Sequence, residues 1–396
     1  MSETVLAGRW RILAALTFAR TSMGFQFQSV AALAPFVAPE LELDHAQLGW
    51  LIGIYLLPGV VIALPGGLLG ARYGDKRMTL AGLALMTGGG LWLAASSSIA
   101  EADAARTLSG AGAVVLNVLL TKMVADWFAG KERLLAMSIL INAWPIGIGI
   151  ALFGLGALGE AVGWRAAIAT AAAVAAAGFV AVLALYRAVP DGAQAPPAGI
   201  GLGAIDAREW RLLAIASLPW LFFNAAYQIV VSFLPLVLVE RGASVARSGA
   251  MTALNTALVI ISVQAGGVLL KRSARPDVIC HAALFGWCAS LLMLAGTSAP
   301  LLWIVAGGLI GGLPASAFVN LPAEFLRPQS RAAGMGVFYT IYYVGCALLP
   351  SAAGRLSDLT GSAGATLSLA AFLLLLCAPI LMLFRRATSA PGSATA

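Results

Sequence analysis

Twelve runs of about 20 predominantly apolar residues, the length that crosses a bilayer core as helix, leave this chain little room for any other structure. They lie at roughly 12–38, 47–70, 78–98, 103–125, 134–158 and 164–187, then at roughly 210–238, 248–270, 277–297, 300–323, 332–353 and 363–384. Backbone groups cannot face lipid unpaired, so each run must be helical, and no segment shows the short alternating strands of a membrane barrel. The expected fold class is an all-α membrane protein with twelve transmembrane helices in two six-helix bundles. Charged residues form 10% of the chain against 60% hydrophobic, too few to clothe a soluble globule. No cleavable leader is expected, because the first run starts after Arg11 and continues past Pro35, longer than a leader's apolar core.

The second half repeats the first. Asp126-Trp127 and Arg133-Leu134-Leu135-Ala136-Met137 return 198 positions later as Glu324-Phe325 and Arg331-Ala332-Ala333-Gly334-Met335, and Gly147 returns as Gly345. Phe27-Gln28, Pro35, Glu40 and Gly66-Gly67 return 200 positions later as Tyr227-Gln228, Pro235, Glu240 and Gly266-Gly267. Each half reads as one copy of a single six-helix unit, and two such units facing each other are a common way to build a midplane transport site. The expected organisation is an N-terminal bundle over 1–187, a cytoplasmic linker over 188–209 rich in Pro and Gly, and a C-terminal bundle over 210–396.

Basic residues orient the bundle. Arg9, Arg11, Arg72, Lys76, Arg77, Lys131, Arg133, Arg187, Arg208, Arg211, Lys271, Arg272, Arg275, Arg327, Arg331, Arg385 and Arg386 all fall on one side. The opposite ends hold Arg106, Arg165, Arg241, Arg247 and Arg355. By the positive-inside rule both termini are cytoplasmic, in a bacterial inner membrane. The net charge of +7 is then a topology signal, and no basic module interleaved with aromatics is present to hold nucleic acid. Cys280, Cys288, Cys346 and Cys377 lie within spans, which disfavours a disulfide framework or a metal site. Gly199-Ile200-Gly201-Leu202-Gly203 has neither a preceding strand nor a following Gly-Lys-Ser/Thr, so no nucleotide cofactor is expected. Lacking a midplane acid, a histidine pair or a ligand cluster, the chain is not expected to be an enzyme.

All five asparagines, Asn117, Asn142, Asn224, Asn255 and Asn320, fall in spans 4, 5, 7, 8 and 10. Amides are costly in hydrocarbon unless they face other helices or water, so they serve either as glue between helices or as the lining of a cavity. Gln26 and Gln28 in span 1, Gln228 in span 7, Gln264 in span 8, and Tyr339, Thr340, Tyr342 and Tyr343 in span 11 extend this set, with Trp144 as an apolar or stacking wall. No carboxylate lies near the midplane, which disfavours proton-coupled export of cationic compounds. What does lie inside is positive, Arg20 and Lys122 within spans and Arg106 early in span 4. Arg20 shares a helix face with Gly24, Phe27 and Gln28, and a guanidinium there either snorkels or binds an anion by paired hydrogen bonds. Arg106, early in span 4, is either an interface anchor or a second anion ligand. Lys122 stands four residues before Asp126, the spacing of an ordinary ion pair.

Gly67-Leu68-Leu69-Gly70-Ala71-Arg72-Tyr73-Gly74-Asp75-Lys76-Arg77, between spans 2 and 3, resembles the signature loop of the major facilitator superfamily. Arg106-Thr107-Leu108-Ser109-Gly110-Ala111-Gly112 is similar to that superfamily's span-4 motif, with Ser109 in its Gln position. The resemblance covers essentially the whole chain and implies a transporter in which Gly67, Arg72, Gly74, Asp75, Lys76 and Arg77 form a conformational loop. The loop's usual acid, which in the family latches it to the start of span 11, is Ala71 here, so the latch is either moved to Asp75 or weakened. Asn142-Ala143-Trp144-Pro145-Ile146-Gly147 resembles bacterial permeases grouped with cyanate transporters. An arginine in span 1 resembles the organic-anion branches, although Trp220 at the matching span-7 position removes a two-arginine clamp.

The expectation is therefore a monomeric secondary transporter of a small organic or inorganic anion, embedded in lipid and working by alternating access. Its expected substrate-binding residues are Arg20, Gln28, Arg106, Asn117, Asn142, Trp144, Asn224, Gln228, Asn255, Asn320, Tyr339 and Tyr343. The alternatives are an exporter of neutral or amphipathic compounds and a membrane sensor that carries no flux.

Overall fold

A computed structural model describes residues 3–62, 70, 72–128, 130–187, 202–296 and 299–389. Gly67 and Ala71 of the signature loop and residues 188–201 of the linker lie outside the described residues. The described chain is α-helical apart from turns and short 3-10 segments.

Span 1 runs as a helix over Glu3–Ala32, breaks at Leu33, and continues over Ala34–Glu40. The break falls where Pro35 has no N–H to offer the preceding turn. Span 2 starts at His45–Gly53 and resumes at Gly59–Ile62. Between them Leu56 N–H turns to Gly53 O at 2.9 Å instead of Ile52 O, and Pro58 has no N–H for Ile54 O. Spans 3 to 6 are Asp75–Ala95, Ile99–Trp127, Gly130–Val162 and Trp164–Leu185. Spans 7 to 9 are Ala207–Glu240, Val245–Arg272 and Pro276–Gly296. Span 10 is Pro300–Gly311 followed by Ala315–Asn320, and spans 11 and 12 are Arg331–Thr360 and Gly364–Ser389. Ten of these segments, spans 3 to 12, are long and apolar enough to cross a membrane. Span 1, with Arg9, Arg11 and Arg20, and the interrupted span 2 complete the bundle pattern.

The repeat seen in the sequence is repeated in the turns. Glu42 (φ 53°) and Gly242 (φ 85°) hold the same left-handed position after spans 1 and 7. Leu43 N–H reaches Ala38 O at 2.8 Å, and Ala243 N–H reaches Leu238 O at 3.0 Å. Asp44 and Ser244 then cap spans 2 and 8, accepting from the N–H groups of Gln47 and Arg247. At the end that carries the chain termini, Arg9 bonds Glu132 at 2.9 Å, while in the second half Glu209 accepts from Ser330 Oγ at 2.6 Å and from Arg327. Positions 9 and 132 match positions 209 and 330 in the repeat, so one tie is built twice with different chemistry.

The opposite end, which carries the turns after spans 1, 5, 7 and 11, is where the two bundles meet most closely. Span 2 crosses span 11 so tightly that a Cβ on Gly49 would stand 2.2 Å from Pro350 O, one on Gly53 2.0 Å from Ala347 O, and one on Gly354 1.8 Å from His45 O. Span 5 crosses span 8 in the matching way, with a Cβ on Gly249 falling 2.2 Å from Leu152 O. Asp358 accepts from His45 N–H at 3.0 Å, Ala46 N–H at 2.9 Å and His45 Nδ1 at 2.8 Å, capping span 2 from the other bundle. Glu160, its repeat partner, accepts from Ala246 N–H at 3.4 Å at the start of span 8.

Candidate functional site

Midway along the bundle, span 1 turns Arg20 toward span 11. Its guanidinium is in electrostatic reach of Tyr339, Tyr342 and Tyr343, which the i, i+3, i+4 spacing sets on one helix face. Nε and Nη1 of Arg20 are buried and have no hydrogen-bond partner. Asn117 of span 4 donates to Tyr343 Oη at 3.0 Å, joining the two bundles at this level. The three tyrosines pack edge to face, Tyr342 against Tyr343 at 5.1 Å and against Tyr339 at 6.3 Å between ring centroids. Tyr342 also touches Trp220 of span 7 at 6.1 Å, and Trp144 of span 5 leans on Phe27 at 5.2 Å. A cation with spare donors, beside aromatic rings and phenolic hydroxyls, is suited to an anion that carries an aromatic body.

Arg106 does not belong to this set. It is 0% exposed, and its donors go to Leu51 O at 3.2 Å, Gln26 O at 3.1 Å, Phe27 O at 3.0 Å and Ile52 O at 3.5 Å, with Tyr55 packed 4.5 Å from the guanidinium. The interruption of span 2 leaves Leu51 and Ile52 carbonyls without their helical donors, and Arg106 supplies them. Its expected ligand role is corrected to that of a structural tie.

The amides divide similarly. Gln28 donates to Val231 O at 2.8 Å across the two bundles, Gln228 to Cys346 O at 3.0 Å, and Asn255 to Ile304 O at 3.0 Å, all three being buried. Each thus donates an N–H between helices and acts as a strut, while Gln28 Oε1 and Asn255 Oδ1 are buried and have no hydrogen-bond partner. Asn320 is exposed and bonds Ser316 O one turn back, away from the tyrosines. Asn142 donates to Ser138 O and accepts from Gln264 at 3.3 Å, a second bridge between bundles. Asn224 is half-buried and donates to Trp220 O at 2.7 Å.

Trp220 was not among the expected polar or binding residues, and Tyr342 was expected in the polar lining but not among the substrate-binding residues. The cluster Tyr339-x-x-Tyr342-Tyr343 and the alignment of Trp220 with Arg20 in the repeat were the available signals. Two surface grooves lie elsewhere: one is lined by Trp10, Leu13, Thr17, Phe18, Thr21 and Ile139, the other by Asp277, His281 and Arg385 among others. Arg385 in the second groove is already bonded to Asp277 and Glu324, so that groove offers an anion little.

In the signature loop, Gly74 takes φ 89°, a conformation that favours glycine. Lys76 Nζ donates to Leu183 O and Tyr186 O, both at 2.8 Å, at the end of span 6, and Arg72 lies over the Tyr73 ring at 5.3 Å. Asp75 pairs with Lys122, which also reaches Asp126 at 3.4 Å. The acid displaced past Gly74 thus bonds within its own bundle.

A family model described as Major Facilitator Superfamily matches residues 16–350. The chain is 29% identical over 360 residues to the 3-(3-hydroxy-phenyl)propionate transporter of Escherichia coli, covering 86% of this chain and 85% of that protein. It is 24% identical over 368 residues to the 4-hydroxybenzoate transporter PcaK of Pseudomonas aeruginosa, covering 83% and 81%. Among solved structures, a bacterial homologue of the human lysosomal transporter Spinster superposes with a TM-score of 0.77 at 17% identity, covering 98% of both chains. The nucleoside transporter NupG superposes with a TM-score of 0.77 at 13% identity, covering 96% of this chain and 99% of that one.

Proposed function

The chain belongs to the major facilitator superfamily, and from that premise we propose that this membrane transporter carries a small aromatic carboxylate across the bacterial inner membrane, with Arg20 as the carboxylate ligand. The observation that carries the reading is the buried, unpartnered Nε and Nη1 of Arg20 beside three tyrosines. A charge placed in a membrane interior is costly unless paired, and a carboxylate accepts two parallel bonds from a guanidinium. Two relatives whose names specify hydroxylated aromatic acids add support and turn the reading from cyanate-sized anions toward larger ones.

Each element of the site then has a task. Arg20 fixes the carboxylate, while Tyr339, Tyr342 and Tyr343 present ring edges and hydroxyls. Asn117 holds the Tyr343 hydroxyl in place, and Trp144 and Phe27 pack together on the N-terminal bundle. Bundles over 1–187 and 210–396, joined by 188–209, rock about this level as a monomer, with both termini cytoplasmic. The closely crossed end is the external gate. With no midplane carboxylate, the driving force is exchange for another anion or a proton carried on the substrate.

Binding of 3-(3-hydroxyphenyl)propionate and 4-hydroxybenzoate to purified protein, followed by thermal shift and by uptake into proteoliposomes, tests the proposal. Wild type is expected to be stabilised by these acids and to carry them, because a ligand of the native state raises its apparent stability. Arg20→Gln is expected to lose both responses. Stabilisation by neutral compounds alone, unchanged in Arg20→Gln, would overturn the anion reading in favour of an exporter of neutral compounds. Binding without uptake would instead favour a sensor.

A further inference from the structure

We propose that Trp220 reads the second pole of the substrate, donating its indole N–H to a hydroxyl on the aromatic ring, and so decides which aromatic carboxylates are accepted. This rests on the aromatic-carboxylate reading above. The repeat sets Trp220 at the position of Arg20 and Asn224 at that of Gly24, each 200 residues on. In span 1 the neighbouring face is closed, since a Cβ at Gly24 would lie 2.2 Å from Trp144 O. Span 7 offers instead an indole at the matching level.

The ring of Trp220 lies nearly parallel to Phe338 (6.2 Å between centroids, 19°) and to Phe223 (6.4 Å, 17°), and is tilted against Tyr342 at 6.1 Å. Tyr342 is in turn within electrostatic reach of Arg20, so one aromatic wall runs from the cation to the indole. Nε1 of Trp220 is buried and has no hydrogen-bond partner. An indole nitrogen can only donate, so its complement is an acceptor. The substrate's carboxylate is taken by Arg20, which leaves a phenolic oxygen at the other end of the ring. A site that holds such a donor in readiness discriminates against the analogue lacking the oxygen, because that analogue leaves the donor unpaired.

The test compares 3-(3-hydroxyphenyl)propionate with 3-phenylpropionate by calorimetry on the full chain, in wild type, Trp220→Phe, Tyr227→Phe and Arg20→Gln. Phenylalanine at 220 keeps the stacked ring and deletes the N–H. Wild type is expected to prefer the hydroxylated acid by about tenfold, and Trp220→Phe to bind both acids alike, at the wild-type affinity for 3-phenylpropionate. Tyr227 on the same helix has a buried hydroxyl in reach of Thr256, and Tyr227→Phe is expected to keep the preference. A preference that survives Trp220→Phe, is absent from wild type, or disappears in Tyr227→Phe instead, overturns the assignment to Trp220. Should Trp220→Phe not fold, the indole N–H resonances of 15N-tryptophan-labelled wild type decide. One is expected to move downfield with the hydroxylated acid and not with its analogue, and equal shifts with both overturn the proposal. If neither acid binds wild type, the aromatic-carboxylate reading fails; Arg20-dependent binding without Trp220 dependence removes this inference alone.

Discussion

Arg106 gives its guanidinium to four carbonyls of spans 1 and 2, while Arg20 keeps two nitrogens buried without an acceptor. The same residue type in neighbouring spans thus has opposite energetics. Removing Arg106 strands carbonyls at the interruption of span 2, and hydrogen bonds to a charged group contribute about 1.5–3 kcal/mol each. Arg106→Gln is therefore expected to lower the thermal midpoint of the ligand-free protein strongly. Removing Arg20 deletes a buried charge with unpaired donors, so ligand-free Arg20→Gln is expected to melt at or above the wild-type midpoint while losing ligand stabilisation. Thermal unfolding of the two variants with and without aromatic carboxylate distinguishes these roles. The span-4 motif marks Arg106 in the sequence but does not say which of its donors are used, and for both arginines only the neighbours decide that.

Helix ends and turns show where local sequence suffices. Asp44 with Gln47 and Asp206 with Glu209 form capping boxes that are legible as spacing alone. Pro35 and Pro58 mark the interruptions of spans 1 and 2, although the Leu51 and Ile52 carbonyls left over at the second break are satisfied by Arg106 of another helix. Glu40, at the end of span 1, ties three spans. It accepts from Trp164 Nε1 and from Arg165 Nε at 3.1 Å and Nη2 at 2.8 Å, while Arg165 Nη1 also donates to Ser96 O at 2.7 Å after span 3. The bond from Trp164, then those from Arg165, hold the Glu40 carboxyl below its ordinary range. A lowered carboxyl pKa contributes stability that is present above the unfolded value and is lost as pH falls through the folded one. Acidification below about pH 4 is accordingly expected to loosen this corner, and Glu40→Gln to flatten that part of the curve, as read by thermal midpoint against pH.

At the scale of the whole molecule, the repeat becomes a pair of matching crossings. Gly49 on Pro350 and Gly249 on Leu152 occupy corresponding positions, as do Asp358 on span 2 and Glu160 on span 8. The two jaws are unequal: Asp358 holds three donors, whereas Glu160 holds one at 3.4 Å. Asp358→Ala, which strands the His45 and Ala46 N–H groups at an estimated cost of about 1–3 kcal/mol, is expected to shift the population toward the arrangement open at this end by about tenfold or more. Glu160→Ala should shift it less. Distances between spin labels at Glu42 and Leu359 read the shift, and an unchanged distribution in Asp358→Ala would show that the cap does not hold the gate.

Apolar run length, the positions of the prolines and the offset repeat were enough to specify an all-helical membrane chain and the matching of its turns, because each depends on local hydrogen bonding and on solvation by lipid. The corresponding residues Asp358 and Glu160 could be aligned from sequence, yet their partners across the bundle interface could not. Likewise the amides were legible as residues needing partners, and Gln28, Gln228 and Asn255 found acceptors for an N–H in other helices. Tertiary structure alone decided that Arg20 retains free donors, that Arg106 does not, and that Tyr342 packs on both Tyr343 and Trp220. Helical periodicity sets which face a side chain occupies, whereas burial and the exhaustion of its hydrogen bonds depend on groups brought near from distant parts of the chain.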